Sequence, residues 1–159
     1  MGFGSPSVKA RALRHLARRE HSRAELERKL AAVVEDKPEA SAAEQIRAAL
    51  DELSARGLLS DERAAESVLS AQARRLGSRR LQYTLQSKGL APELIRATLQ
   101  QARDTELERA RDLWRRRFGA PAADAAGRAR QLRFLAGRGF DADIARRVVQ
   151  GTDDAAEPS

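Results

Sequence analysis

A short pattern occurs twice in this chain, and it narrows the folds the chain can adopt. Lys88-Gly89-Leu90-Ala91-Pro92-Glu93-Leu94 and Arg138-Gly139-Phe140-Asp141-Ala142-Asp143-Ile144 lie 50 residues apart. Each reads as a basic residue, a Gly that stops one helix, a large apolar residue, a new helix start and an apolar anchor. Leu85 and Leu135 keep the same offset, and Val68-Leu69 matches Leu113-Trp114 at an offset of 45. Self-similarity at this period marks small supersecondary units that cannot bury their apolar faces alone. A first copy is looser. Leu26 and Leu30 correspond to Leu81 and Leu85, Ile46 and Leu50 to Ile95 and Leu99, and an acidic insert at residues 35–40 replaces the Gly turn.

The segments between these marks read as helices. Ala, Leu, Arg and Glu dominate, and the β-branched residues that favour strands are scarce. Ser22 with Glu25, Ser41 with Glu44 and Thr105 with Glu108 each fit the capping box, in which two side chains satisfy two otherwise unpaired N–H groups. Asp61 and Asp124 stand where single caps are expected, the last helix starts at Asp141, and Pro92 sits at a first helical position. Gly57, Gly89, Gly119 and Gly137-Arg138-Gly139 are helix stops. Nine helices follow, the first over residues 8–20 and the fifth over 78–88. Their expected inward positions are Leu13 and Leu16; Leu26, Leu30 and Val33 or Val34; Ile46, Leu50 and Leu53; and Ala64, Ala65, Val68, Leu69 and Leu76. Further along they are Leu81 and Leu85; Leu94, Ile95 and Leu99; Leu107, Ala110, Leu113, Trp114 and Phe118; Leu132 and Leu135; and Ile144, Val148 and Val149. The expected fold is all-α, with three tandem three-helix units at 8–57, 58–103 and 104–150 forming an elongated helical array. Residues 1–7 and the acidic 151–159 are expected to be disordered.

Charge is distributed in blocks. The net charge is +7. Residues 67–103 carry seven basic side chains against one acid, and 113–150 carry nine against three, while 35–66 carry four against nine. Blocked positive charge favours a polyanionic partner; the competing interpretation is an ordinary solvated surface. There are no cysteines, which excludes disulfides, thiolate metal sites and a cysteine nucleophile. No apolar run approaches the roughly 20 residues of a membrane span. Arg11, Arg14, Arg18 and Arg19 interrupt the one N-terminal stretch that could serve as a secretory signal. A cytoplasmic location without membrane contact is expected by elimination.

No catalytic constellation is visible. His15 and His21 are six residues apart, on different helix faces or across a helix end, whereas a zinc-binding helix would place them at i and i+4. Asp51-Glu52, Asp61-Glu62 and Asp153-Asp154 are adjacent pairs, and adjacent helical residues point apart. Gly77-Ser78 and Gly137-Arg138-Gly139 lack the strand–loop–helix context of a phosphate cradle. A protein that acts by binding, with no catalysis, no metal and no cofactor, is expected.

Two stretches are more specific: Leu58-Leu59-Ser60-Asp61-Glu62-Arg63-Ala64-Ala65 after the helix end at Gly57, and Leu132-Arg133-Phe134-Leu135-Ala136-Gly137-Arg138-Gly139-Phe140 followed by Ile144. With Ser22, Glu25-Leu26, Lys29-Leu30 and Leu85, Lys88-Gly89-Leu90, this ordered set over residues 8–150 resembles the RecX family of bacterial recombination regulators. The resemblance implies three tandem three-helix units, binding along the groove of the RecA–DNA filament, and suppression of its ATP hydrolysis and strand exchange. One departure stands out: the family often has an aromatic residue after the Arg of the first stretch, and here Ala64 follows Arg63.

The candidate binding residues are Arg74, Arg75, Arg79, Arg80 and Lys88 in the middle unit, and Arg115, Arg116, Arg117, Arg128, Arg130, Arg133 and Arg138 in the third. They would attract DNA and acidic filament surface. Arg115–Arg117 are consecutive, so at most two can meet one partner surface. The expected partners are the RecA filament and single- or double-stranded DNA, directly or through RecA, with the chain a monomer. Two competitors are a freestanding helix-turn-helix protein, whose recognition helix would be 78–88 with Arg79, Gln82 and Gln86, and a helical scaffold that binds only protein. An elongated array predicts, in small-angle scattering, a radius of gyration clearly above the roughly 15 Å of a compact 159-residue domain; the compact value would rule the array out.

Overall fold

The computed structural model describes residues 4–151. The regular structure of those residues is α-helical, in nine helices: α1 (Val8–Arg18), α2 (Arg23–Ala31), α3 (Ala42–Ala55), α4 (Asp61–Gln72), α5 (Ser78–Ser87), α6 (Pro92–Asp104), α7 (Glu106–Arg117), α8 (Ala125–Gly137) and α9 (Ala142–Gln150). The expected disorder at 1–3 and 152–159 lies outside the described residues. Ser7 is the N-cap of α1, its Oγ accepting from the Ala10 N–H, and Gly151 closes α9 in the left-handed conformation.

By packing, the described chain divides into two compact units. One runs through Ser67 and includes Gln86–Leu94; the other comprises Val68–Leu85 and the chain from Ile95 onward. The middle helices α4, α5 and α6 are therefore divided between them.

In the first unit α3 packs on both α1 and α2. Leu26, Leu30, Leu50 and Leu53 are fully buried with Ala12, Ile46 and Leu59, and Leu13, Leu16 and Val34 close the edge of this core. Val33 turns outward and is half exposed, which settles the choice between the two valines. The capping boxes of α2 and α3 form as expected. The cap at α4 does not. Ser60 is the capping residue, its Oγ accepting from the Arg63 N–H, and Asp61 is already the first helical residue. The Asp61 carboxylate instead accepts from the Arg23 N–H at 2.8 Å and so satisfies the start of α2. Ala64 is buried, so its departure from the family pattern reduces core volume and not contact surface. The acidic insert closes on itself through paired backbone bonds between Lys37 and Ala40.

In the second unit α9 packs on α7 and α8 around Ala110, Leu113, Trp114, Leu135, Phe140, Ala145, Val148 and Val149. Trp114 Nε1–H donates to Gln131, whose amide donates to the Ala120 carbonyl, so the buried polar pair is satisfied. The capping box expected at Thr105 and Glu108 is absent. α6 runs to Asp104 and α7 starts at Glu106, which leaves Thr105 in a backbone conformation that offers no side-chain cap. Asp141 stands at the start of α9 as expected, with its carboxylate paired with Arg79 and making no cap bond. Asp124 caps α8 as expected.

The repeated glycine turn has one structural use, seen once in each unit. In the first, the turn after α5 sits on the start of α2. Ser22 Oγ–H donates to the Lys88 carbonyl, Arg28 donates to the Ser87 carbonyl, and a Cβ on Gly89 would lie 2.6 Å from that of Ala24. In the second, the turn after α8 sits on the start of α5. Gly77 N–H donates to the Arg138 carbonyl at 2.8 Å and Arg79 N–H to the Gly139 carbonyl at 3.1 Å. Gly139 has φ +88°, and a Cβ on Gly77 would stand 2.3 Å from the Phe140 nitrogen. A helix start has N–H groups with no partner in its own helix; at α5 the Arg138 and Gly139 carbonyls accept from two of them, whereas at α2 the turn accepts from the side chains of Ser22 and Arg28.

Gly77→Ala should therefore destabilise strongly, because the clash is with backbone that cannot move aside. Gly137→Ala should be neutral or stabilising by up to about 1 kcal/mol, since its Cβ meets nothing within 4 Å and Ala is the better helix former. Urea unfolding followed by circular dichroism measures both; equal effects would show that the α8–α9 turn is not seated on α5.

Candidate nucleic-acid interface

Within the second unit, Arg74 stands in the turn that follows α4, and Arg109, Arg115 and Arg116 stand on α7. With Asp112 they line a hollow of about 400 Å³. Arg109 forms its floor. Its guanidinium donates to the Ala73, Leu76 and Ala102 carbonyls at 2.6–2.7 Å and to Thr105 Oγ1, and it lies 6.0 Å from the Phe140 ring centroid. It thus closes the end of α4 at Ala73, the turn that follows at Leu76, and a C-terminal carbonyl of α6, groups a helix cannot satisfy itself. Burial pushes this guanidinium down from its usual value, with the Glu106 charge acting the other way. Arg116 reaches the Arg74 carbonyl at 3.4 Å, and Arg115 stands 3.5 Å from Asp112. Four guanidiniums face one carboxylate, an arrangement suited to phosphate or carboxylate oxygens. Arg109 was not among the expected site residues; on α7 it shares a face with Asp112 and Arg116, at i+3 and i+7.

Arg117 leaves this group, in agreement with the geometric limit on three consecutive arginines. It stacks over Phe118 and Phe134, and Arg138 stacks over Phe134 at 5.2 Å. The two rings meet edge to face at 5.3 Å. Arg117 and Arg138 are thereby brought together as a second basic group with its apolar support beneath it. Arg75, Arg128, Arg130 and Arg133 are exposed. Arg130 and Arg133 share a face of α8, and Arg128 turns away from them.

Three other expected residues are held by the protein itself. Arg79 pairs with Asp141 at 3.2 Å and Arg80 donates to the Gly137 carbonyl, although both remain exposed. Lys88 is committed inward, its Nζ 3.1 Å from Glu25 in the first unit, with the lysine side chain 17% exposed and the glutamate 9%. Glu25 also accepts from Arg19 at 2.7 Å and from the Ser22 N–H. Burial pushes this carboxyl up, but Arg19, the Ser22 N–H and Lys88 outweigh burial and hold it at about 2. The α1–α2 corner brings His15 and His21 to 5.5 Å, which sequence spacing did not indicate. His21 is buried; its Nδ1–H donates to the Arg19 carbonyl and its Nε2 accepts from Lys29. Burial lowers the basicity of both rings, and the Lys29 charge adds to this. With both His21 nitrogens used, this pair braces the corner.

The start of α5 has a parallel arrangement with a different donor of the carboxylate. α2 carries Glu25 at its third position, but α5 carries Arg80 there. Glu106, from the first turn of α7, fills the role, accepting from the Ser78 N–H and Oγ–H at 3.0 Å each. Another hollow, of about 520 Å³ beside α2 and α3, is lined by Arg23, whose guanidinium is paired with Glu27 and Asp51. Its charge is balanced, so it is less suited to an anion than the α7 hollow.

Comparison with known proteins gives a consistent picture. A family model described as the second three-helix domain of RecX matches residues 60–99, and one described as the third matches 104–149. A regulatory protein RecX from Leptothrix cholodnii is 51% identical over 147 residues, covering 92% of this chain and 90% of that protein. One from Ralstonia nicotianae is 44% identical, covering 92% and 89%. The crystal structure of RecX from Lactobacillus salivarius shares the fold at 19% identity, with a TM-score of 0.72 over 91% of this chain and 93% of that one.

Lys88→Ala should lower stability at pH 7 by about 1–3 kcal/mol, as loss of a charged hydrogen-bond partner from a buried carboxylate does. Glu25 titrates at about 2 against an ordinary 4.5, so its contribution is complete above pH 4.5 and is lost as pH falls through about 2. The gap between variant and parent should narrow over that interval. Denaturant midpoints at pH 7 and pH 3 test this, and an unchanged midpoint at pH 7 would place Lys88 in solvent.

Proposed function

The chain belongs to the RecX family of regulatory proteins, and from that membership we propose that it modulates a RecA recombinase, mainly as an inhibitor. It binds the RecA–DNA filament and suppresses ATP hydrolysis and strand exchange in recombination and repair. It acts by binding and not by catalysis, as a monomer in the cytoplasm. No described helix is long and apolar enough to cross a membrane.

The observation that carries this reading is the hollow of Arg74, Arg109, Arg115 and Arg116. A nucleoprotein filament presents phosphates and acidic side chains at a regular succession of sites. Arg117 with Arg138, and Arg130 with Arg133, add exposed or half-exposed positive charge in the same unit. The three-helix units at 8–57, 58–103 and 104–150 would let several modest contacts act together, so that one chain bridges successive RecA protomers. Bridging opposes the protomer motions that accompany ATP turnover.

The freestanding helix-turn-helix alternative is disfavoured by the start of α5. A recognition helix leads into the major groove with its N-terminal residues. Here those residues carry the Arg138-Gly139 turn, and the Ser78 N–H is taken by Glu106.

Replacing Arg74, Arg115 and Arg116 together with Ala should weaken binding to RecA–single-stranded-DNA filaments and flatten its salt dependence by up to about three units, one per lost phosphate contact. Arg109 stays, because it closes two helix ends. Helicity should not change, as exposed charges contribute little to stability. Filament affinity across a salt series decides the matter: an unchanged affinity and slope would make the hollow a solvated surface.

A further inference from the structure

Tyr83 is 72% exposed, the most exposed large apolar side chain among the described residues. Its place on α5 follows from the helix period. Leu81 and Leu85 are fully buried on either side of it in sequence, so position 83 stands on the opposite, solvent face. Arg79 and Arg80 lie one turn before it on the two flanks of the same face, about 5–6 Å away between Cβ atoms, and Gln82 is exposed beside it. The two arginines are tethered at their N-terminal side, by Asp141 and by the Gly137 carbonyl. Each tether uses one of the five N–H donors a guanidinium carries, so donors remain for oxygens outside the protein. No other large apolar side chain on α5 is exposed.

From this we infer that the Tyr83 ring is a stacking platform for bases of single-stranded DNA, with Arg79 and Arg80 holding the flanking phosphates. The inference rests on the nucleoprotein-binding reading above and adds the strand form and the contact. A lone aromatic ring flanked by two cations, with no other exposed large apolar side chain on its helix, is poorly built for a protein partner, whose anchoring aromatics sit within apolar pockets. It suits a single strand, in which each base offers a π face and each phosphate a charge. A duplex buries those faces in its own stack and leaves the ring nothing to lie on. Recognition of this kind tolerates any base sequence.

The test separates stacking from charge by using two oligomers of equal length and equal phosphate count, oligo(dT) and an abasic phosphodiester strand. Fluorescence anisotropy with the full chain should show tighter binding to oligo(dT). Tyr83→Ala should weaken oligo(dT) binding about tenfold and leave the abasic strand unaffected. Tyr83→Trp should restore the preference. Circular dichroism confirms that each variant is folded. Equal binding of the two strands by the parent chain, or an equal effect of Tyr83→Ala on both, overturns the inference. So does a Tyr83→Ala variant that loses filament binding while keeping its preference for bases, since the ring would then meet protein. A parent chain that prefers oligo(dT) through Tyr83 yet fails to bind RecA filaments would uphold the stacking contact and remove the regulatory reading.

Discussion

The start of a helix leaves N–H groups without partners, and in this chain two such starts are covered by protein. α2 and α5 begin beneath glycine turns contributed by later segments, so their first N–H groups cannot turn to water. Acceptors have to come from the covering turn or from a carboxylate placed at the helix start. At α5 the Arg138 and Gly139 carbonyls and the Glu106 carboxylate supply them; at α2 the Glu25 and Asp61 carboxylates do, and the Lys88 carbonyl takes the Ser22 hydroxyl. The approach is close enough that a Cβ on Gly77, Gly89 or Gly139 would stand well inside contact distance of its neighbour. The division of the packing follows from this: Gln86–Leu94 belongs with the first unit because its turn seats on α2, and Val68–Leu85 belongs with the second because α5 starts under the α8–α9 turn.

Once a buried carboxylate is placed at such a joint, basic residues are drawn inward to meet it. Arg19 and Lys88 converge on Glu25, and Arg63 pairs with Glu20 at the same corner. Arg109 does comparable work for carbonyls, closing α4 and α6 at once. A guanidinium suits that position because its several N–H groups fan out in one plane and can reach carbonyls from two helices. The basic side chains therefore fall into two populations. One holds the joints together, and the other, including Arg74, Arg115 and Arg116, faces outward where a polyanion can reach it. Arg109 has a part in both, since it fixes the floor of the hollow that the exposed arginines surround.

The outward population is mounted on rigid supports. Arg117 and Arg138 lie on an edge-to-face phenylalanine pair, and Arg79 and Arg80 are tethered to the α8–α9 turn. Side chains held in this way lose less freedom when an anion arrives than free surface arginines would. The glycine turn that closes the α5 start thus also orients charges beside it, which links the repeat to the binding face.

Much of this was legible in the residues, and the limit falls at a definite place. Capping boxes at Ser22–Glu25 and Ser41–Glu44, the cap at Asp124, the glycine stops and the leucines at helical spacing could all be read, because each depends on partners within four residues. The all-α fold and the repeat followed from them. The failures involve distant partners. Thr105 and Glu108 match a capping box in spacing, yet Glu106 turned to Ser78, 28 residues away, and set the start of α7. Asp61 has the composition of a cap for its own helix and serves α2, 38 residues earlier. Lys88 and Arg74 are equivalent in a charge count, but Lys88 meets Glu25 across 63 residues and Arg74 faces an open hollow. The sequence by itself determined where helices start, stop and turn an apolar face inward, since those preferences act over a single helical turn. Which charged groups became joints and which stayed on the surface was decided only by tertiary structure, because the energy of a charge depends on burial and on partners that arrive from elsewhere in the chain.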